Sequence, residues 1–198
     1  LIGHMQHSAR DPMRDHTHGR IYRITYSGRP LLPPVTIAGA SIPSLLESLT
    51  LPEDRVRSRA RLELRGRDAD QVVMGLEKWL AGLKESDPLV ERHRLEGLWV
   101  SWGLGRVDVK LLRRLLEARD HRVRAAAVRV LRYNTASVAE HVALLMRAAG
   151  DVHGRVRLEA VNAASWLEKR VALEVLGEAR KHPVDEWLAP VFAAIDAY

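Results

Sequence analysis

The sequence predicts an all-α chain: a right-handed α-solenoid of stacked helical hairpins, preceded by a short β-strand segment and a proline-rich linker. Three observations predict it. A valine followed by a charged residue recurs as Val56-Arg57, Val90-Glu91, Val123-Arg124 and Val156-Arg157, at intervals of 34, 33 and 33. A second set of apolar columns runs half a period out of step. Finally, Ala, Leu, Val and Arg dominate a composition that is 46% hydrophobic and only 5% aromatic, which leans towards helix.

Residues 1–27 stand apart from this pattern. They are rich in His, Asp and Arg and show no helical period. Residues 19–26 alternate, with Tyr22, Ile24 and Tyr26 on one side, and predict a single strand. A lone strand is not stable without partners, so these residues fit the end of a preceding sheet domain. Pro30-Leu31-Leu32-Pro33-Pro34 then forms the stiff part of an extended connector over 28–43. The chain starts at Leu1, which fits a trimmed start or a piece of a longer protein.

The solenoid occupies 44–198. Four and eight residues after the valines come Ala60 and Leu64, Arg94 and Leu98, Ala127 and Leu131, and Ala160 and Ala164. Those offsets lie on one helix face, and the small alanines let neighbouring helices approach. Half a period away, Leu46, Trp79, Leu112 and Leu145 repeat every 33 residues, as do Leu76, Val109, Val142 and Val175. Leu83, Leu116 and Ala149 form a third such column. Two amphipathic helices per period make a hairpin. The predicted helices are 43–50, 54–65, 69–84, 88–103, 107–118, 121–133, 137–149, 153–167, 170–181 and 184–197. Asp54, Asp87 and Asp120 precede the valines as helix caps, Pro88 suits a first turn, and Gly105, Asn134 and Gly150 mark helix ends. Pro190 bends or delays the last helix.

The formal charge is +6, and the pI near 10 invites a nucleic-acid partner. Residues 1–30, however, hold five Arg and two Asp, which is +3, so the remaining 168 residues share +3. No stretch approaches the roughly 18 apolar residues of a membrane span. The absence of cysteine excludes disulfides, thiol nucleophiles, zinc-thiolate centres and covalent c-type haem attachment within the chain.

Asp120-His121-Arg122-Val123-Arg124-Ala125-Ala126-Ala127 resembles the second helix of HEAT repeats, with its aspartate, valine-arginine pair and small residues. The second copy departs, with Glu91 for arginine and His93 and Arg94 for small residues. The fourth has Gly154 and a shifted aspartate. Residues 14–24, Arg-Asp-His-Thr-His-Gly-Arg-Ile-Tyr-Arg-Ile, are similar to the closing strand of sugar-dehydrogenase-like β-propellers. Strand, proline linker and HEAT array in succession resemble the large multidomain dehydrogenase-like proteins of planctomycetes. That resemblance implies a propeller before this chain, a c-type haem domain after it and an extracytoplasmic, periplasmic setting. The sequence alone fixes no compartment.

Candidate sites are few. His16 and His18 would share one side of a strand, and His4-x-x-His7 has a ligand-like spacing, but a structural or polar role outweighs metal binding for all four. Trp99 and Trp102 lie one turn apart, as core packing or as an aromatic platform. Arg55, Arg57, Arg59, Arg61, Arg65 and Arg67 spread around a helix, so they make no stripe built for phosphates. Arg57, Arg124 and Arg157 recur in register, which predicts pairing with loop aspartates of adjacent repeats. These three, with Trp99 and Trp102, are the binding-surface candidates.

No phosphate loop, nucleophile elbow or helical His-Glu-x-x-His pair is present, so no catalytic residue, metal or cofactor is assigned. The function expected is a non-catalytic scaffold for a protein partner or flanking domains. The alternative is a nucleic-acid-binding HEAT module of the alkylpurine DNA glycosylase type, motivated by the basic pI and the paired tryptophans.

Overall fold

The computed structural model describes residues 12, 15, 17–19, 24–28 and 30–196. The chain divides into two units, 1–34 and 35–198. Among the described residues of the first there is no strand: of the segment expected to form one, Arg20–Arg23 lie outside the described residues. Ile24 and Tyr26 are 92% and 72% exposed, with no strand among the described residues on which to lay an apolar side.

The second unit is all helix and connection. Its elements are α1 (Ile42–Glu47, extended by a 3-10 turn, Ser48–Thr50), α2 (Asp54–Arg65), α3 (Ala69–Gly82), α4 (Val90–Gly103) and α5 (Val109–Leu116). There follow α6 (His121–Tyr133), α7 (His141–Ala149), α8 (Gly154–Ala164), α9 (Lys169–Arg180) and α10 (Leu188–Asp196). α1/α2, α3/α4, α5/α6 and α7/α8 pair as four hairpins, and α9 meets α10 where Arg180 lies over the Phe192 ring. The second helices form one layer, α2 on α4, α4 on α6 and α6 on α8, while α1 packs on α3 and α7 on α9.

The apolar columns explain the layering. Leu64, Leu98, Leu131 and Ala164 are buried, as are Leu46, Leu112 and Leu145 of the other register. Each such leucine contributes roughly 1.5–3 kcal/mol through removal of its side chain from water. Ala60, Ala127 and Ala160, all fully buried, let adjacent second helices close on one another. Two core clusters result. One runs from Leu95 to Phe192; the other holds Ile37, Leu45, Leu49, Val72 and Val100. α4 supplies residues to both and is buried on nearly every side, including Glu96, Gly97 and Ser101.

Caps follow local chemistry. Asp68, Asp108 and Asp120 accept from the amides of Gln71, Leu111 and Arg122 at 2.8–2.9 Å. Asp87 accepts from Leu89, so the turn at Pro88 precedes the helix and α4 starts at Val90. Asp54 is the exception: it is the first residue of α2 and binds the Arg57 guanidinium instead of a free amide. Gly105, at φ +69°, closes α4, with Arg106 N–H on Ser101 O and Gly105 N–H on Trp102 O. Asn134 and Gly150 end their helices without the left-handed turn. α10 begins four residues later than the apolar pattern predicts. Pro190 has no N–H to give, so it fits only the first turn, where Asp185 accepts from Trp187 and Leu188.

Candidate interaction surface

The turns before α2, α6 and α8 leave backbone carbonyls aimed at the first turn of the second helix, and three arginines collect them. Arg57 Nη1 donates to Leu51 O and Pro52 O at 2.8 and 2.6 Å. Arg124 Nη1 donates to Ala118 O and Arg119 O at 2.8 and 3.0 Å. Arg157 Nη1 donates to Asp151 O and Val152 O at 2.8 and 3.1 Å. The acceptors are always six and five residues upstream, which is why the arginine must follow the valine. A hydrogen bond from a charged donor contributes about 1.5–3 kcal/mol, so each guanidinium ties down its own loop.

The remaining nitrogens reach onward. Arg124 forks onto Asp151 of the next hairpin at 2.7 and 2.8 Å. This pairing also accounts for the shifted aspartate, because His153 takes over the cap of α8, its Nδ1 accepting from Arg155 N–H at 3.2 Å. Arg157 ends on Pro183 O, a backbone carbonyl rather than an aspartate. Arg57 pairs with Asp54 of its own hairpin and with Glu96 of α4. The structure thus places Arg57 and Arg157 inside the hairpins, 8% and 3% exposed.

In the second hairpin the polarity reverses. Glu91 stands at the arginine position and accepts from the backbone N–H groups of Arg119 and Asp120 at 2.8 and 3.0 Å. Its neighbours fold back on their own loop: Arg94 pairs with Glu85, and His93 Nδ1 lies 3.2 Å from Asp87.

Glu96 links this interior to the surface. Its carboxylate, 1% exposed, is held by Arg57 and Arg61, and the Arg61 guanidinium lies 5.0 Å above the Trp99 ring. From Trp99 an aromatic row crosses the layer of second helices. Trp102 stacks on Tyr133 at 5.7 Å, and Tyr133 meets Trp166 edge-on at 5.8 Å. Arg132 sits over both Tyr133 and Trp166, 5.2 and 5.1 Å from their centres. Trp99 and Trp102 are half-buried against the core, whereas Tyr133 and Trp166 are 50% and 62% exposed. Stacked rings and guanidiniums add about 0.5–1.5 kcal/mol per pair, which keeps the row ordered despite its exposure.

At one end of the row lies a groove of about 590 Å³ between α2 and α4, lined by Arg59, Arg61, Leu62, Arg65, Trp99 and Trp102 among others. Arg55, Arg59, Leu62 and Arg65 succeed one another by four, three and three residues, so they do share one exposed side of α2. Arg57 and Arg61 both reach Glu96, Arg57 from the buried side and Arg61 from the groove edge beside Trp99. The expected even spread of arginine thus resolves into two sets.

A second cluster joins two hairpins at their helix starts. The rings of His121 and His153 stack at 3.5 Å, 6° from parallel. Loss of hydration, then the facing His153, then Arg122 and Arg124 hold the His121 pKa below its ordinary value against the pull of Asp120.

Of the histidines weighed for metal, His4, His7 and His16 lie outside the described residues. His18 is exposed and engaged with Asp15 and Thr17 at 2.9–3.2 Å. Among the described residues, no three His, Asp or Glu groups assemble a metal centre, and no helix is long and apolar enough to cross a membrane.

Residues 109–194 match the family model of HEAT repeats. This stretch is a HEAT-repeat region. Comparison with curated proteins and with solved structures returns no match. The HEAT-repeat region takes in α5 to α10, hence Arg124, Arg157, Tyr133 and Trp166. Tyr133 and Trp166 were missed in the sequence although the signal was there: Trp99, Tyr133 and Trp166 are spaced by 34 and 33, the repeat period itself.

Proposed function

We propose that this chain is a non-catalytic docking scaffold that contacts a protein partner through the aromatic row of its second-helix layer. The observation that carries this reading is the continuity of Trp102, Tyr133 and Trp166 across three successive hairpins, with two of the three rings half or more exposed. Exposed aromatic and arginine side chains held in place by their neighbours are what binding hot spots are made of, since little rotamer freedom is left to lose on association. HEAT repeats are in general protein-interaction modules, which agrees with this use. Placement of the scaffold within a larger dehydrogenase-like protein rests on sequence resemblance alone, that of residues 14–24 and of the strand, proline linker and HEAT array in succession.

The test is selection from a displayed random peptide library on the folded chain. Selected peptides should lose about tenfold or more in affinity on Tyr133→Ala with Trp166→Ala, and should be unaffected by Met74→Ala on α3. Selected peptides insensitive to the aromatic pair, or turnover by the isolated chain that a single substitution abolishes, would overturn the reading.

A further inference from the structure

We infer that the groove between α2 and α4 is the specificity end of this surface and takes an acidic protein segment carrying an aromatic side chain. This rests on the docking-scaffold reading above and goes further by naming the partner's chemistry.

The charge of the groove is one-sided. Its charged lining residues are Arg59, Arg61 and Arg65, with no carboxylate among the residues that line it. The nearest acid, Glu96, lies beneath, fully buried and already held by Arg57 and Arg61. Other acids of α2 are occupied too: Glu63 binds Arg67 and Asp54 binds Arg57. Arg59 and Arg65 are exposed, and neither has an acidic partner among the described residues. Between them stands Leu62, 69% exposed on a helix whose other apolar residues are packed away. An unpaired guanidinium fork on each side of an exposed leucine matches carboxylates spaced along a chain, since the planar fork binds a carboxylate in two-pronged fashion.

The wall opposite supplies the apolar half. Trp99 and Trp102 line the groove edge, and the Glu96–Arg61 contact fixes the guanidinium above Trp99 before any partner arrives. Gly103 opens the end of the wall, with nothing within 4 Å of where a Cβ would stand. An aromatic side chain of the partner can therefore rest against the tryptophans while its flanking acids reach Arg59 and Arg65.

Nucleic acid fits this surface less well. A phosphate backbone needs cations repeated along its path; beside the groove the arginines without an acidic partner among the described residues are on α2, while Arg119 and Arg155 stand at the opposite ends of the second helices from Tyr133 and Trp166. Further along the row Arg129 is paired with Glu159, and Arg132 is laid over Tyr133 and Trp166.

The same library selection tests this. Enriched peptides should be acidic with at least one aromatic residue, should bind more weakly as salt is raised, and should lose about tenfold or more on Arg59→Ala with Arg65→Ala. Arg113→Ala with Arg170→Ala, on α5 and α9, should leave affinity unchanged. Circular dichroism of each variant confirms folding; Arg59→Lys with Arg65→Lys, which keeps charge but not the fork, should give an intermediate loss. Neutral or basic enriched peptides, or peptides unaffected by the α2 pair, overturn the inference while leaving the scaffold reading intact if they still depend on Tyr133 and Trp166. A duplex or single-stranded oligonucleotide that binds more tightly than the best peptide at the same salt, with the same dependence on Arg59 and Arg65, overturns it in favour of nucleic acid.

Discussion

Gly154 meets Asp185 so closely that a Cβ at Gly154 would stand 1.7 Å from the Asp185 Oδ2. Gly154 opens α8 and Asp185 caps α10, so the start of one second helix is seated directly on the cap of the next.

Gly154→Ala should therefore destabilise the chain by about 1–3 kcal/mol, even though alanine gains up to roughly 1 kcal/mol of helix propensity over glycine. Urea unfolding followed by circular dichroism reads the difference as a lowered midpoint at unchanged slope. Adding Asp185→Gly should recover part of the loss, because it removes the clash while giving up the α10 cap. An unchanged midpoint for Gly154→Ala would refute the close packing.

Glu96→Gln should cost about 2–4 kcal/mol, since it leaves the buried Arg57 only the exposed carboxylate of Asp54 as counter-charge. The same change frees Arg61 from the position it holds above Trp99. Tryptophan emission should shift even under conditions where the variant is fully folded. A loss of stability with no change in emission would mean that Arg61 keeps its place over the ring without Glu96.

The stacked pair His121 and His153 predicts a loss of stability in mild acid. The folded-state pKa of His121 lies below its unfolded value, so the unfolded chain takes up the proton first. The stabilising contribution is then complete above about pH 6.5, the ordinary histidine value, and is lost as pH falls through the lower folded value. His153→Asn keeps a side chain able to cap α8 and removes the facing imidazole, so it should flatten the thermal midpoint between about pH 7.5 and 5.5. A further loss belongs to strong acid. Asp120 and Asp151 both have lowered pKa values, Asp120 through Arg122, and Asp151 because Arg124 and the His153 N–H outweigh the upward effect of burial. Their contribution is present above the ordinary aspartate range and disappears below it.

Most of the fold was legible in the sequence because each hairpin reuses the same columns. The valine register and its half-period companion locate ten helices to within a few residues. The misses have physical causes. α4 is buried on both sides, so its apolar and polar residues no longer alternate: Arg94 sits inside where the other second helices have alanine, and Glu96 is buried with it. α7 starts at His141 rather than 137 because the preceding residues turn, with His141 N–H on Val138 O. The site was less legible. Recurrence of Arg57, Arg124 and Arg157 in sequence signals a load on the hairpin loops, and residues that recur for that reason are turned inward. Trp99, Tyr133 and Trp166 keep the same period, but Tyr133 and Trp166 lie at and just beyond helix ends, outside the apolar columns that define the repeat. On α2 the arginines had to be separated by their partners before Arg59 and Arg65 stood out.

The carboxylate of Glu91 has a consequence for how such an array can change over generations. At the starts of α2, α6 and α8 a cation closes the loop behind it; here an anion grips the loop ahead. The hairpins are thus keyed to their neighbours and are not interchangeable bricks. A recombination slip that deleted the hairpin of Glu91, or copied it one place along, would set mismatched ends against each other. It would leave either bare amides at a junction or a carboxylate facing carbonyl oxygens. The order of units is written into the joints, so the array is free to vary in its exposed rows while its length resists change.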